Sequence, residues 1–160
     1  MTAAVIDLHG GYHATEDVVH LATVGPVLLA GPGRLKLLVR MRYRIVEAEG
    51  ERGPWKVSTA GYIYELYSEE GNRVLGYHWH PQGPGKKHTH LHLGPDVSTR
   101  HLNKRIHLPT GRIALEELLR VVIEDMGVEP MRADWDPALR ATQDRFVKHR
   151  TWPGSSPPPS

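Results

Sequence analysis

The sequence predicts an α+β domain, an antiparallel four-stranded meander packed on one main amphipathic helix, with short N- and C-terminal helices. Three observations predict it. From Leu35 onward, segments with two-residue alternation or rich in aromatic and β-branched residues follow one another. Their connections are short and rich in turn residues, which favours antiparallel neighbours. From Ile113 the apolar period lengthens to that of a helix, and strands followed by helices form a sheet with one face covered.

Taken in order, the chain first offers a short helix near Thr15 to Leu21, with Thr15 as its cap and Glu16 and Asp17 favourable in its first turn. Gly25-Pro26 and Gly31-Pro32-Gly33 interrupt regular structure. Leu35, Leu37, Val39, Met41, Tyr43 and Ile45 then alternate with Lys36, Leu38, Arg40, Arg42 and Arg44, the pattern of a strand. Trp55 to Tyr67 reads as the second strand, Ser68 to Asn72 as a turn, Arg73 to His80 as the third strand and Lys87 to Leu93 as the fourth. Pro81 to Gly85 closes the last hairpin.

Leu115, Leu118, Leu119, Val122, Ile123 and Met126 fall on one helical stripe, begun at Thr110 or Gly111 and ended by Gly127. Glu116, Glu117, Glu124 and Asp125 read as its solvated side. Asp136-Pro137 opens a weaker helix to about Lys148, Pro suiting the first helical position. Residues 1–152 are expected to form one domain and residues 153–160 a mobile Pro/Ser tail.

Composition narrows the chemistry. The chain has 160 residues, 39% hydrophobic and 24% charged, suited to one core rather than to wholesale disorder. A net charge of +2 leaves any attraction for polyanions to local clusters. Neither a membrane-spanning run nor a secretory leader is legible, so a cytoplasmic location without membrane association is expected. The absence of cysteine removes disulfides, thiolate nucleophiles and thiolate metal ligands, leaving His, Asp, Glu and water to hold any metal.

Five of the eleven histidines lie between His78 and His92, and they alternate in His78-Trp79-His80 and in His88-Thr89-His90-Leu91-His92. Alternate residues of a strand share a face. A symmetric Pro81 to Lys87 turn sets His80 against His88, His78 against His90 and Gly76 against His92, all on one side. One or two histidines on a sheet face are ordinary. Five in register suppress one another's protonation and add little to packing, so a functional cluster is the stronger reading.

Converging neutral imidazoles suit a divalent transition metal, zinc foremost, and three of them around an open position can activate water. The metal ligands expected are His78, His80, His90 and His92, with His88 and His90 as catalytic residues and His88 also a further ligand. Asp96 is a further ligand or orients one. Carrying the same parity across the two earlier turns puts Tyr62, Tyr64, Arg40, Arg42 and Arg44 on the histidine face as substrate-binding residues, unless a bulge reverses it. His9, His13, His20, His101, His107 and His149 read as ordinary surface or locally hydrogen-bonded residues.

His88-Thr89-His90-Leu91-His92-Leu93 resembles the His-x-His-x-His strand of the histidine-triad nucleotide hydrolases and transferases, which implies His90 as a nucleophile toward an α-phosphate. Thr89 and Gly94 depart from that family's apolar preference. The succession Gly61-Tyr62-Ile63-Tyr64, His78-Trp79-His80-Pro81, His88 to His92, Pro109-Thr110-Gly111-Arg112, Glu116-Glu117-Leu118 and Asp134-Trp135 resembles a group of uncharacterised bacterial His-rich proteins. It is also faintly similar to the TumE-type toxins of toxin-antitoxin pairs, which implies a nucleic-acid target.

The function expected is a divalent-metal-dependent hydrolase acting on a phosphodiester or nucleotide. The alternatives are a non-catalytic metal- or partner-binding module and a metal-independent RNase toxin using His, Arg and Tyr. Expected partners are a nucleic acid or nucleotide, and a second copy of the chain or a cognate protein.

Overall fold

Each of the two longest strands carries an apolar face and a polar face, and their pairing organises the molecule. The computed structural model describes residues 6–9, 19–47, 54–82, 88–95 and 107–150. Its strands are β1 (Ile6–His9), β2 (Val19–Thr23), β3 (Val27–Leu28), β4 (Lys36–Glu47), β5 (Trp55–Tyr67), β6 (Arg73–Trp79), β7 (His90–Leu93) and β8 (His107–Pro109). Two helices follow, α1 (Leu115–Glu124) and α2 (Trp135–His149). The strands form one antiparallel sheet in the order β1-β2-β4-β5-β6-β7-β8, with β3 beside β2 on the same edge of β4.

The four-stranded meander is therefore corrected. The alternating segments from Leu35 to Leu93 supply β4 to β7, but the sheet extends beyond them on both sides. Val19, His20 and Leu21, expected in a helix, lie in β2 opposite Tyr43, Arg42 and Met41. A long strand edge offers hydrogen bonds that a helix of about two turns does not match. Thr23 Oγ1 adds to this attachment by accepting the Val39 N–H at 3.3 Å. Residues 15–18 of the expected helix, Asp96 and the 153–160 tail lie outside the described residues. At the other edge β8 ends in Pro109, a residue an edge strand tolerates because one side needs no ladder donor.

Nor is there a single main helix. α2 has 15 residues against 10 in α1, although α1 supplies the buried stripe. Leu118 and Val122 pack with Leu37, Val39, Tyr62, Tyr64, Leu66 and Trp79 on one sheet face. α2 lies on α1 through Trp135 and Leu139 beside Leu119 and Ile123.

α1 begins at Leu115, later than Thr110, where the Glu117 carboxylate accepts the Ala114 N–H at 2.6 Å. Glu117 is thus a helix anchor as well as a solvated charge. The helix is left through Gly127, whose φ of 70° suits glycine, with the Val128 N–H reaching the Val122 carbonyl at 3.0 Å. No helix among the described residues is long and apolar enough to cross a membrane. With α1 covering one face of the sheet, the chemistry lies on the other.

Candidate metal centre

β6 and β7 bring the histidines together by register. His78 pairs with His90 and Gly76 with His92, while Tyr77 pairs with Leu91 and faces the core side. Across the next ladder His92 pairs with His107 of β8. Ring centroids of His78 and His92 are 4.4 Å apart, those of His90 and His92 4.9 Å, and those of His92 and His107 4.4 Å. One ring nitrogen from each of His78, His90 and His92 lies within 4.8 Å of the other two. Nitrogens of a tetrahedral zinc site sit roughly 3.3 Å apart, so small side-chain rotations of about 1.5 Å or less bring this trio onto one ion.

The site's hydrogen bonds prepare it for that. His90, only 1% exposed, has Nδ1 at 2.8 Å from the His88 carbonyl. A carbonyl only accepts, so Nδ1 carries the proton and Nε2 keeps its lone pair. Glu65 of β5, opposite Gly76, accepts from Tyr67 Oη at 2.6 Å, Arg73 Nη1 at 3.2 Å and His78 Nε2 at 3.2 Å. The His78 contact foremost, with help from Tyr67 and Arg73 and against the cost of burial, pulls the Glu65 carboxyl down to about 2. Glu65 is thus a carboxylate and His78 its donor, which leaves His78 Nδ1 outside that bond. This is the carboxylate–histidine arrangement that orients metal ligands.

His92 Nδ1 is buried without a hydrogen-bond partner. Burial, followed by the charges of His78, Arg73, His107 and His90, pushes the His92 imidazole down to about 4. Burial lowers His90 and His80 as well, and His80 also feels His78 and Arg42. These rings are neutral near pH 7, the form that ligates.

The other predicted residues divide. His80 has a buried, unpartnered Nδ1 and lies 5.2 Å from His90 and 6.2 Å from His78 by ring centroids, but its nitrogens fall outside the close trio. His88 is exposed, its ring 6.0 Å from His90, and it meets the cluster through its backbone carbonyl. Arg40 and Arg42 stand opposite Ile63 and Gly61, and Ile63 stands opposite His78, so both arginines share the histidine face. Arg44 follows on the same side of β4.

Tyr62 and Tyr64 do not share that face. They pair with Trp79 and Tyr77, stack at 4.6 Å and are 4% and 1% exposed in the core. A register shift between Leu66 and Tyr67 inserts one residue on β6 and reverses parity past the turn. A second shift, between Arg42 and Tyr43, reverses it again and returns Arg40 and Arg42 to the histidine side. Two bulges thus move the tyrosines away and leave the arginines.

Sequence reasoning missed Glu65 and His107. Glu65 is the lone carboxylate in the aromatic run Tyr62 to Tyr67, an isolated charge that signals a buried partner. His107 belongs to a three-residue strand too short to carry a periodic signal.

The chain matches no protein-family model, no curated protein and no solved structure. The reading of this face accordingly rests on its own geometry: three converging imidazoles, an ionised carboxylate behind one of them, and guanidinium groups at the margins.

Proposed function

We propose that this protein binds a divalent transition metal, zinc foremost, through His78, His90 and His92, and hydrolyses a phosphodiester or nucleotide there. The observation that carries the reading is the trio of ring nitrogens within 4.8 Å of one another. Zinc held by His78, His90 and His92 would leave a coordination position for water and would supply an acidified water as nucleophile near neutrality. Glu65 orients His78, and the His88 carbonyl orients His90. Arg42 and Arg73, whose charges reach His80 and His92, give the site a field that favours an anionic substrate.

The competing reading is a closed, non-catalytic metal site with His107 as fourth ligand. Its support is the His107 ring, 4.4 Å from His92 and 5.0 Å from His90. A metal-independent RNase using Tyr62 and Tyr64 loses support, because both rings are buried on the far face.

The test is metal content by mass spectrometry on tag-free protein, beside hydrolysis of bis(p-nitrophenyl) phosphate with and without chelator. Near-stoichiometric metal that the His78→Ala/His90→Ala variant loses, together with chelator-sensitive hydrolysis, is expected. Absence of metal from the wild type overturns the reading. Loss of metal from His107→Ala without any wild-type hydrolysis selects the closed site.

A further inference from the structure

Among the described residues five arginines meet acids: Arg34 meets Glu69, Arg73 meets Glu65, Arg120 meets Glu124 and Asp136, Arg132 meets Asp134, and Arg140 meets Asp136. Arg40, Arg42 and Arg44 do not. They alternate along β4 on the histidine face, and none has a carboxylate partner among the described residues. Arg44 Nε is buried with no hydrogen-bond partner. A half-buried guanidinium with one nitrogen out of solvent and without an acceptor is suited to an anion from outside.

A Cβ at Gly61 would stand 2.8 Å from the Trp79 carbonyl oxygen and 3.2 Å from Arg42 Nη2, so the glycine serves the close approach of β6 first, and the Arg42 guanidinium lies over it on β5. Lys56, opposite Val46, extends the same face beyond Arg44. From β5 the charged groups on the row's face are Lys56 and Glu65, and Glu65 is already engaged by Arg73, His78 and Tyr67; on the other side the register of β2 sets His20 opposite Arg42.

We propose that Arg40, Arg42 and Arg44 form a phosphate-binding row for a single strand of nucleic acid, laid along β4 beside the histidine cluster. Alternate residues of a strand repeat every 6.7 Å or so, a step comparable with that between successive phosphates of an extended strand. One straight row along one strand suits one backbone, whereas a duplex presents two that diverge around a cylinder. Arginine forks take phosphate oxygens in pairs, and a row of them binds without reading sequence. The inference rests on the hydrolytic proposal only in assigning the strand as the substrate of the neighbouring centre; the binding itself needs no metal.

The experiment is fluorescence anisotropy of labelled oligothymidylate with the full-length chain in chelator, across a salt series. Three phosphate contacts predict a slope of log K against log salt of about −2, at roughly 0.7 per contact on single strands. Arg44→Gln is expected to flatten the slope by about 0.7, while Arg44→Lys, which keeps the charge, is expected to retain most of it. Equal slopes for wild type and Arg44→Gln, or tighter binding of duplex than of single strand, overturn the row. Wild-type hydrolysis of bis(p-nitrophenyl) phosphate without oligonucleotide binding also overturns it, while sparing the metal-dependent hydrolase. Salt-dependent, Arg44-sensitive binding by protein that takes up no metal supports the row and overturns the hydrolase.

Discussion

Glu65 and His78 meet across the β5–β6 ladder, Oε1 to Nε2 at 3.2 Å, although thirteen positions separate them in the chain. The carboxylate holds the ring in one tautomer while Arg73 and Tyr67 hold the carboxylate. Glu65→Gln weakens that hold without removing volume. Zinc affinity, measured by competition with a chromophoric chelator, is expected to fall by about 10- to 100-fold, the usual effect of losing a group that orients a ligand. Unchanged affinity would mean that His78 needs no orientation from Glu65.

Gly76 stands where a side chain would press on the same pair. A Cβ there would lie 3.2 Å from both Glu65 Cγ and His78 Nε2 and 3.5 Å from Arg73 Cδ. Alanine suits a strand at least as well as glycine does. Gly76→Ala is therefore expected to leave the melting temperature of chelator-treated protein near that of wild type and to weaken zinc binding. A melting temperature that collapses while zinc affinity is retained would show that the space serves the fold instead.

Acid should destabilise the metal-free protein in two stages. The lowered pKa of His92, about 4 against an ordinary 6.5, means that the unfolded chain binds the proton more readily than the native one. Stability from this group is fully present above 6.5 and is lost as the pH falls toward 4, with His90 and His80 acting in the same direction. Glu65, lowered from 4.5 to about 2, keeps its contribution above about 4.5 and loses it as the pH falls from there toward 2. Thermal melts in chelator are expected to show a decline between pH 6.5 and 4 that His92→Gln makes shallower. An identical decline in that variant would assign the loss to other groups.

Tyr62 tests the corrected register. Its hydroxyl accepts the Ile113 N–H at 3.0 Å and ties the segment before α1 to the sheet, and burial holds the phenol up at about 12. Tyr62→Phe is expected to cost about 1 kcal/mol of stability, the typical worth of such a hydrogen bond, while oligonucleotide affinity stays that of the wild type. A loss of affinity with no loss of stability would return Tyr62 to the binding face.

The sequence by itself determined the parts whose causes are local. Two-residue alternation between Leu35 and Ile45 and the aromatic run Trp55 to Tyr67 locate β4 and β5, and helical spacing from Leu115 locates α1. The alternation of His78, His90 and His92 across a short hairpin was enough to bring them onto one face. Tertiary structure decided everything that depends on counting residues across a bulge or on partners far along the chain. The face a side chain takes is a parity, and one inserted residue beside Tyr67 sends Tyr62 and Tyr64 into the core. β2 and β8 form because neighbouring strands offer them an edge, since their own few residues carry no periodic signal. His107 and Glu65 reach the cluster by the same route, through ladders that only the assembled sheet contains.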